Sequence, residues 1–401
     1  MVSPTRLVVL GVAAVAVVFV LTGPASGLIG MPSTASDAAH ILQPSHGSKN
    51  SKPVKHHSVG MTSPTAKPAP SPTPSPTPPP VVGLKPAPDG LLYLQGKPPA
   101  DVRPLLAGYD VQGRGDYGGV SWSELQATAG GPITPNNPID QAITDVRAWN
   151  AANPTHQESL LVRIEAGIHS PAWAMNLGGP CVKVTDPNFG TTGCTPRFWT
   201  SQFATAFYQF EGELAAKYDS VPEIGEVIIA RDMTVYNEPL LRQIQSPASV
   251  AALLAAGYTT ALDEQNQMAD IAALGTYWKH THVGFTFNPY QTVNPIGQDE
   301  AFTVQLMSYG KQVLGSQLML DNDSLRVSFL QGGGDYGPMY ASMRQLGSPL
   351  GFQTAVLSKV GSLEGTVQGA GSLGANYVEL PPGFPANQLP MLTQVYFQAK
   401  I

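Results

Sequence analysis

From about Asp89 onward, short apolar runs alternate with longer segments whose apolar residues recur at helical spacing. Asn137-Pro138, followed by Ile139, Ile143 and Val146, predicts a capped helix with proline in its first turn. Further helices are predicted after a cap at Thr200 and over 250–273, 304–314 and 340–346, and strands over 160–166, 226–230, 282–287, 317–320, 350–356 and 375–380. This alternation predicts a parallel sheet with helical crossovers, and seven or eight strands favour a closed (β/α)8 TIM barrel over an open sheet.

Residues 1–87 have a different pattern. After Arg6, an apolar run from Leu7 to Leu21 has the length of a signal-peptide core. An uncleaved membrane anchor remains open, because Leu28-Ile29-Gly30 extends the apolar stretch. We therefore expect a signal peptide or anchor over 1–30, a disordered Pro/Ser/Thr-rich linker over 31–87, and the barrel over 88–401. Either N-terminal alternative predicts an extracellular protein, secreted or N-terminally membrane-anchored, with possible attachment to membrane or cell wall.

Composition narrows the partner and cofactor classes. The 401-residue chain carries a net charge of −6 and only 12% charged residues, which argues against a nucleic-acid binder. Its only cysteines, Cys181 and Cys194, stand close together without nearby histidine, which predicts a disulfide rather than a zinc site. The segment 113–118 matches a dinucleotide-binding glycine spacing, but it neither follows a clear strand nor opens a helix. No cofactor and no metal are predicted.

The candidate chemistry lies beyond the apolar run that follows Glu226. Asn237 and Glu238 stand a few positions past this run, directly before Pro239. In an α/β barrel, what lies beyond the carboxyl end of a strand faces the ligand crevice. Glu238 is therefore a candidate catalytic carboxylate with a hydrogen-bonding neighbour. The alternative is a loop acid that caps the next helix, with Pro239 in its first turn.

Several segments together resemble the superfamily of (β/α)8 glycoside hydrolases that keep an Asn-Glu pair at the end of the fourth strand. The matching segments, in chain order, are Ser121-Trp-Ser-Glu-Leu125 with Gly130 for strand two, Val162-Arg-Ile-Glu-Ala-Gly167 with Pro171-Ala-Trp173 for strand three, Tyr236-Asn-Glu-Pro239 for strand four and Tyr377-Val-Glu-Leu-Pro381 for strand eight. The resemblance implies that Glu238 is the general acid/base and that Asn237 bonds a sugar hydroxyl next to the reacting carbon. Candidates for stacking against sugar rings are Trp122, Trp173, Tyr236 and Tyr290, with core packing as the alternative for each.

The sequence departs from this family at strand seven. Where the family has a glutamate nucleophile, this chain offers Gln353, which is expected to bind substrate instead. Glu379 is the first candidate for the second catalytic carboxylate, and Glu165 is another. Structural alternatives are an ion pair of Glu379 with Arg163 or Arg326, and a pairing of Glu165 with Arg163.

Three outcomes of this departure remain open: a displaced carboxylate, an inverting reaction, or a barrel that only binds carbohydrate. The preferred hypothesis is a glycosidase acting on a neutral poly- or oligosaccharide, and the competing hypothesis is a non-catalytic carbohydrate-binding protein of the cell surface. Further polar groups are expected at strand ends, namely Arg231, Asp232, Asn322 and Ser324.

Overall fold

A computed structural model of the chain describes residues 83–115, 119–187, 190–241, 245–332 and 336–400. The predicted signal peptide or anchor and nearly all of the predicted linker lie outside these residues. Within the part of the chain that is described, no helix is both long and apolar enough to cross a membrane.

Eight parallel strands close into a barrel, as predicted. They are β1 (Gly90–Tyr93), β2 (Gly108–Asp110), β3 (Ser159–Glu165), β4 (Ile224–Ile229), β5 (His282–Thr286), β6 (Leu318–Leu325), β7 (Leu350–Thr354) and β8 (Tyr377–Leu380). Each strand pairs with its neighbours in chain order, and β1 closes the ring by pairing with β8. A closed ring leaves no unpaired sheet edge and directs the carboxyl ends of all eight strands to one mouth.

Helices pack around this ring in the connections after β2. They are α1 (Pro138–Ala152), α2 (Ser201–Tyr218), α3 (Pro247–Ala255), α4 (Thr260–Tyr277), α5 (Glu300–Leu314), α6 (Tyr336–Leu346), α7 (Leu363–Leu373) and α8 (Leu389–Ala399). The helix predicted over 250–273 is two helices, because the chain turns between α3 and α4 and Gly257 adopts φ +89° there. Between β1 and β2 the described chain has only the short 3-10 turn Arg103–Leu105.

Two predicted helix starts have different chemistry. The Asn137 side chain accepts hydrogen bonds from the backbone N–H groups of Ile139 and Asp140, which confirms the predicted cap. Thr200 also precedes a helix, but its hydroxyl makes no capping bond and donates instead to the Arg197 carbonyl at 2.8 Å. The predicted capping role of Thr200 is therefore wrong, although the helix itself is present.

The predicted second strand also needs correction. Barrel strand β2 is Gly108–Asp110, whereas Val120–Ser121 forms a two-residue strand beside the end of β3. The chain then turns directly into the short helix Trp122–Leu125, where Ser121 and Glu124 form a reciprocal capping box. This local cap ends the strand that the sequence pattern had extended through Leu125.

Two short antiparallel hairpins follow the carboxyl ends of barrel strands. One, after β3, pairs Val182–Thr185 with Thr192–Thr195, and the other, after β5, pairs Tyr290–Val293 with Ile296–Asp299. Cys181 and Cys194 are joined by a disulfide with a Cα–Cα distance of 5.6 Å, which confirms the predicted pairing. The bond closes the first hairpin, which lies in the connection between β3 and α2.

The barrel interior changes from apolar to charged along its axis. Inward side chains form a small apolar cluster, consisting of Leu92, Leu161, Ile228, Met319 and Tyr377. Beside it Glu226 and Asp321 form a buried carboxyl pair, and the Tyr377 hydroxyl donates to Asp321 at 3.2 Å. Burial and the neighbouring carboxyl raise the pKa of Glu226 well above its usual value, so this pair holds a proton.

Arg163 of β3 is the cation at the centre of the next layer. Its guanidinium contacts Asp110 of β2, lies 2.8 Å from the Glu379 carboxylate of β8, and lies 3.5 Å from Asp323 of β6. The Arg163 side chain is 3% exposed. Buried carboxylates need such a partner, because an ion removed from water without compensation is strongly destabilising.

Replacing Arg163 with methionine is expected to lower the free energy of unfolding by about 3–5 kcal/mol, because buried carboxylates lose their cation. The matched control is Arg147→Met, which breaks the ion pair between the exposed Arg147 side chain and the buried Glu223. Because the Arg147 guanidinium lies in solvent, this change is expected to cost about 1 kcal/mol or less. Denaturant unfolding of the three proteins provides the comparison. Equal losses in both variants would contradict a structural role for the buried cluster.

Candidate functional site

Glu238 lies in the loop after β4, at the mouth of the barrel. Glu238 is 4% exposed, and its Oε1 accepts a hydrogen bond from Asn288 Nδ2 at 3.2 Å. Asn288 follows the carboxyl end of β5, so two adjacent strand ends position the carboxylate. The alternative in which Glu238 caps a helix beginning at Pro239 is wrong, because the next helix, α3, begins at Pro247.

A network of amides and hydroxyls determines how Asn288 is oriented. Its Oδ1 accepts from Asn322 Nδ2 at 3.3 Å and from the Tyr336 hydroxyl at 3.1 Å. The Tyr340 hydroxyl in turn donates to Asn322 Oδ1 at 2.8 Å. Because two donors meet the Asn288 oxygen, its NH2 group must face Glu238. Asn322 was expected at the rim, but the structure buries it as part of this support.

Asn237 has an unused donor next to Glu238. The residue is 5% exposed, and its Nδ2 has no hydrogen-bond partner among the described residues. A buried donor without an acceptor costs about 1–3 kcal/mol. The group is therefore chemically suited to a hydroxyl acceptor supplied by a ligand.

Asp323 is an inward carboxylate that the sequence analysis missed. It lies on β6, two residues beyond the inward Asp321, and its side chain is 8% exposed. Burial raises its pKa to about 7; Arg163 opposes this shift, and the carboxylates of Glu238 and Glu379 add to it. Asp323 therefore interacts electrostatically with Glu238. Alternation along β6 places Asp321 and Asp323 on one face, which is the sequence signal for this residue; the predicted polar groups of this strand were Asn322 and Ser324.

The side chains of Glu379 and Glu165 are less exposed than that of Asp323. The Glu379 side chain is 0% exposed and pairs with Arg163, which is the structural alternative considered from the sequence. Glu165 does not pair with Arg163 as suggested: its Oε2 lies 3.3 Å from His169 Nε2. A Cβ atom at Gly119 would lie 2.5 Å from Glu165 Oε1. The backbone just before Val120 therefore lies directly against this carboxylate.

Gln353 lies on β7 at the position that the resemblance assigns to the nucleophile. It pairs in register with Glu379 on the neighbouring strand. It stands two residues after Gly351, whose position faces Asp321 and Tyr377 inside the barrel. By strand alternation, Gln353 lies on the inner face. An amide side chain therefore lies near the carboxyl end of β7, on the inner face of the barrel.

The four predicted stacking residues differ in their surroundings. Trp122 is 0% exposed and its ring packs against those of Trp173 and Phe210, so its predicted contact with sugar is wrong. Tyr290 is buried too, and its hydroxyl donates to Asp263 at 2.8 Å. The Tyr236 hydroxyl donates to Asp186 at 2.9 Å. Only Trp173 is half-buried, and its proposed contact with sugar stays a prediction.

Arg231 and Asp232, also predicted as polar residues at a strand end, connect the end of β4 to a helix. Arg231 Nε lies 3.5 Å from Asp232 and donates to Asp270 of α4 at 2.9 Å. These contacts join the end of β4 to the helix behind it, in agreement with the expected local polar network. Among the described residues, no group of three or more His, Cys, Asp or Glu side chains could hold a metal ion.

Comparison with known proteins gives likenesses of fold at low similarity. No protein-family model and no curated protein sequence matches the chain. Among solved structures, the chain is similar to the catalytic domain of β-amylase from Paenibacillus polymyxa, with a TM-score of 0.46 and 11% identity over 79% of this chain and 99% of that one. For the β-galactosidase from the psychrophilic Marinomonas ef1 the values are 0.45 and 12%, over 72% of this chain and 53% of that one.

A third similar structure is the mannonate dehydratase from Streptococcus suis serotype 2, with a TM-score of 0.44 and 9% identity over 79% of this chain and 94% of that one. The chain spans about half the length of the β-galactosidase but nearly all of the other two proteins. Likenesses at this level assign no activity, and the barrel itself is established by its strand pairing.

The raised pKa of Asp323 predicts a specific pH dependence of stability. The folded protein holds this proton more tightly than the unfolded chain, whose aspartates titrate near about 4. Its stabilising contribution is therefore greatest below about pH 4 and is lost as the pH rises through about 7. The free energy of unfolding of wild type minus that of Asp323→Asn should fall across this range, measured by denaturant unfolding. A difference that stays constant or rises with pH would contradict the assignment.

Proposed function

We propose that this protein is glycoside hydrolase-like and cleaves O-glycosidic bonds of a neutral poly- or oligosaccharide, with Glu238 as the general acid/base. The observation that carries the proposal is the placement of Glu238 at the barrel mouth, oriented by Asn288 and adjacent to the unused amide donor of Asn237. Glycoside hydrolysis needs a positioned proton donor at the leaving oxygen. It also benefits from a donor to the sugar hydroxyl beside the reacting carbon.

The chemical class of the substrate follows from the same groups. The site offers amide donors and carboxylate acceptors, which suit sugar hydroxyls, and the inward charges at the mouth are mostly negative. An anionic sugar would meet repulsion from Glu238, Asp323 and Glu379, so a neutral saccharide fits better. The described disulfide is compatible with an oxidising compartment. Together with the apolar N-terminal segment, it supports an extracellular protein that is secreted or N-terminally anchored.

A second function is favoured by one observation, the amide of Gln353 at the strand-seven position. A barrel that has lost its nucleophile would bind carbohydrate at the cell surface without cleaving it. The two functions differ in whether reducing sugar is released. A screen of aryl glycosides and common polysaccharides, run together with binding isotherms, separates them: binding without release across the whole screen would favour the second function.

Substituting Glu238 with glutamine is expected to reduce kcat/KM roughly 10²- to 10⁴-fold on substrates with poor leaving groups, because the proton donor is removed. The protein should still fold, since glutamine can accept the same hydrogen bond from Asn288. The matched control is Glu364→Gln, the same chemical change at an exposed position of α7, which should leave the rate unchanged. An unaltered turnover number in the Glu238 variant would exclude its role as proton donor.

A further inference from the structure

We propose that Asp323 of β6 is the second catalytic carboxylate of this site and takes the role that Gln353 cannot perform. The inference rests on the proposed glycosidase function. The resemblance to glycoside hydrolases predicts no catalytic carboxylate on β6, the strand that carries Asp323. An amide cannot supply negative charge to a cationic sugar carbon, so a carboxylate elsewhere at the mouth is required for cleavage.

Exposure distinguishes Asp323 from its competitors. Its side chain is 8% exposed, compared with 0% for Glu379 and 1% for Glu165. Glu165 lies against the backbone of the preceding loop, and Glu379 lies against the centre of the Arg163 cluster. Asp323 is therefore the most accessible of these three carboxylates.

Bonding within the cluster supports the same choice. Arg163 contacts Asp110 closely and Glu379 at 2.8 Å, but it reaches Asp323 only at 3.5 Å. Asp110 and Glu379 are thus the principal structural partners of the guanidinium. The long contact leaves Asp323 able to turn toward a substrate, while the nearby positive charge still favours its ionised form.

Electrostatic coupling connects Asp323 to Glu238. The Glu238 carboxylate raises the pKa of Asp323. The two side chains are therefore close enough to interact across the barrel mouth. Glycoside cleavage uses one acid and one base or nucleophile, which are the roles that the proposal gives to Glu238 and Asp323.

One unused polar atom at the mouth independently points to a ligand. Asn237 Nδ2 has no acceptor among the described residues, and the residue is 5% exposed. A sugar hydroxyl can accept this hydrogen bond, so a saccharide bound beside Glu238 has the chemistry to satisfy it.

The proposed reaction balances with these two carboxyl groups and water. As the glycosidic C–O bond breaks, its electron pair goes to the leaving oxygen, which takes the proton of Glu238. In the direct form, an Asp323 oxygen bonds to the anomeric carbon, and water later cleaves this ester while Glu238 accepts a water proton. In the water-mediated form, water attacks the anomeric carbon and Asp323 accepts its proton. The direct form retains the configuration of the sugar and the water-mediated form inverts it.

The test compares two kinds of leaving group. Full-length wild type, Asp323→Asn, Glu238→Gln and Glu379→Gln are assayed on phenyl and 2,4-dinitrophenyl glycosides of glucose, galactose and mannose in both anomeric forms. An activated leaving group needs no proton, so the Glu238 variant should recover much of its rate on dinitrophenyl substrates. Asp323→Asn should lose on the order of 10³-fold on both kinds of substrate, because its role does not depend on the leaving group. The matched control, Asp101→Asn, changes an exposed aspartate and should keep the wild-type rate.

A second variant distinguishes loss of the carboxylate from loss of the folded structure. Asp323→Ala is assayed with and without azide, and an azide-dependent rate would show a folded site with a vacated carboxylate position. Thermal unfolding of each variant is recorded in parallel. The stereochemistry of the wild-type product then assigns the direct or the water-mediated form, and either one supports the proposal.

Different results would contradict the proposed function and the proposed role of Asp323. A wild type that cleaves none of these glycosides and no polysaccharide in the screen overturns the proposed function, and the role of Asp323 with it. An active wild type whose Asp323→Asn variant keeps its rate overturns the role of Asp323 alone. The same holds if Glu379→Gln, rather than Asp323→Asn, loses its rate on both leaving groups.

Discussion

The inside of this barrel depends on one buried guanidinium. Arg163 lies between carboxylates from three other strands, Asp110, Asp323 and Glu379. Without it, three like charges would face each other in a space of low dielectric, and the strands carrying them would repel. Its unequal contacts also divide the acids into tightly held structural partners and one loosely held neighbour. The same interaction that stabilises the ring thus leaves Asp323 the least tightly bound of the three acids, in agreement with the role proposed for it.

Glu238 is positioned by a different device, a chain of neutral groups. Tyr340, Asn322 and Asn288 connect the β6 side of the barrel to the loop after β4. Tyr340 donates to the Asn322 oxygen, and the Asn322 and Asn288 amides each accept through oxygen and donate through nitrogen. The Asn288 NH2 group therefore faces Glu238.

Much of the architecture could be predicted from the sequence, because apolar runs and helical periodicity record which faces are buried. The roles of individual site residues could not be predicted where the same residue type suits both the core and a binding site. Trp122 has the residue type of a sugar platform, but three phenylalanines of α2 surround it in the core. Asp323 stands among polar neighbours of similar type, Asn322 and Ser324, and the predicted strand ended at residue 320. The observed strand extends to Leu325, so alternation places Asp323 on the inner face with Asp321.

The central claim is that a saccharide binds between Glu238 and Asp323 at the mouth of the barrel. A crystal structure of the Glu238→Gln variant with an oligosaccharide bound tests it most directly. We predict that the glycosidic oxygen lies within about 2.6–3.2 Å of the residue 238 amide, that the anomeric carbon faces Asp323, and that a sugar hydroxyl contacts Asn237 Nδ2. A saccharide seated away from the barrel mouth, or one that leaves Asp323 bound only to Arg163, would contradict the claim.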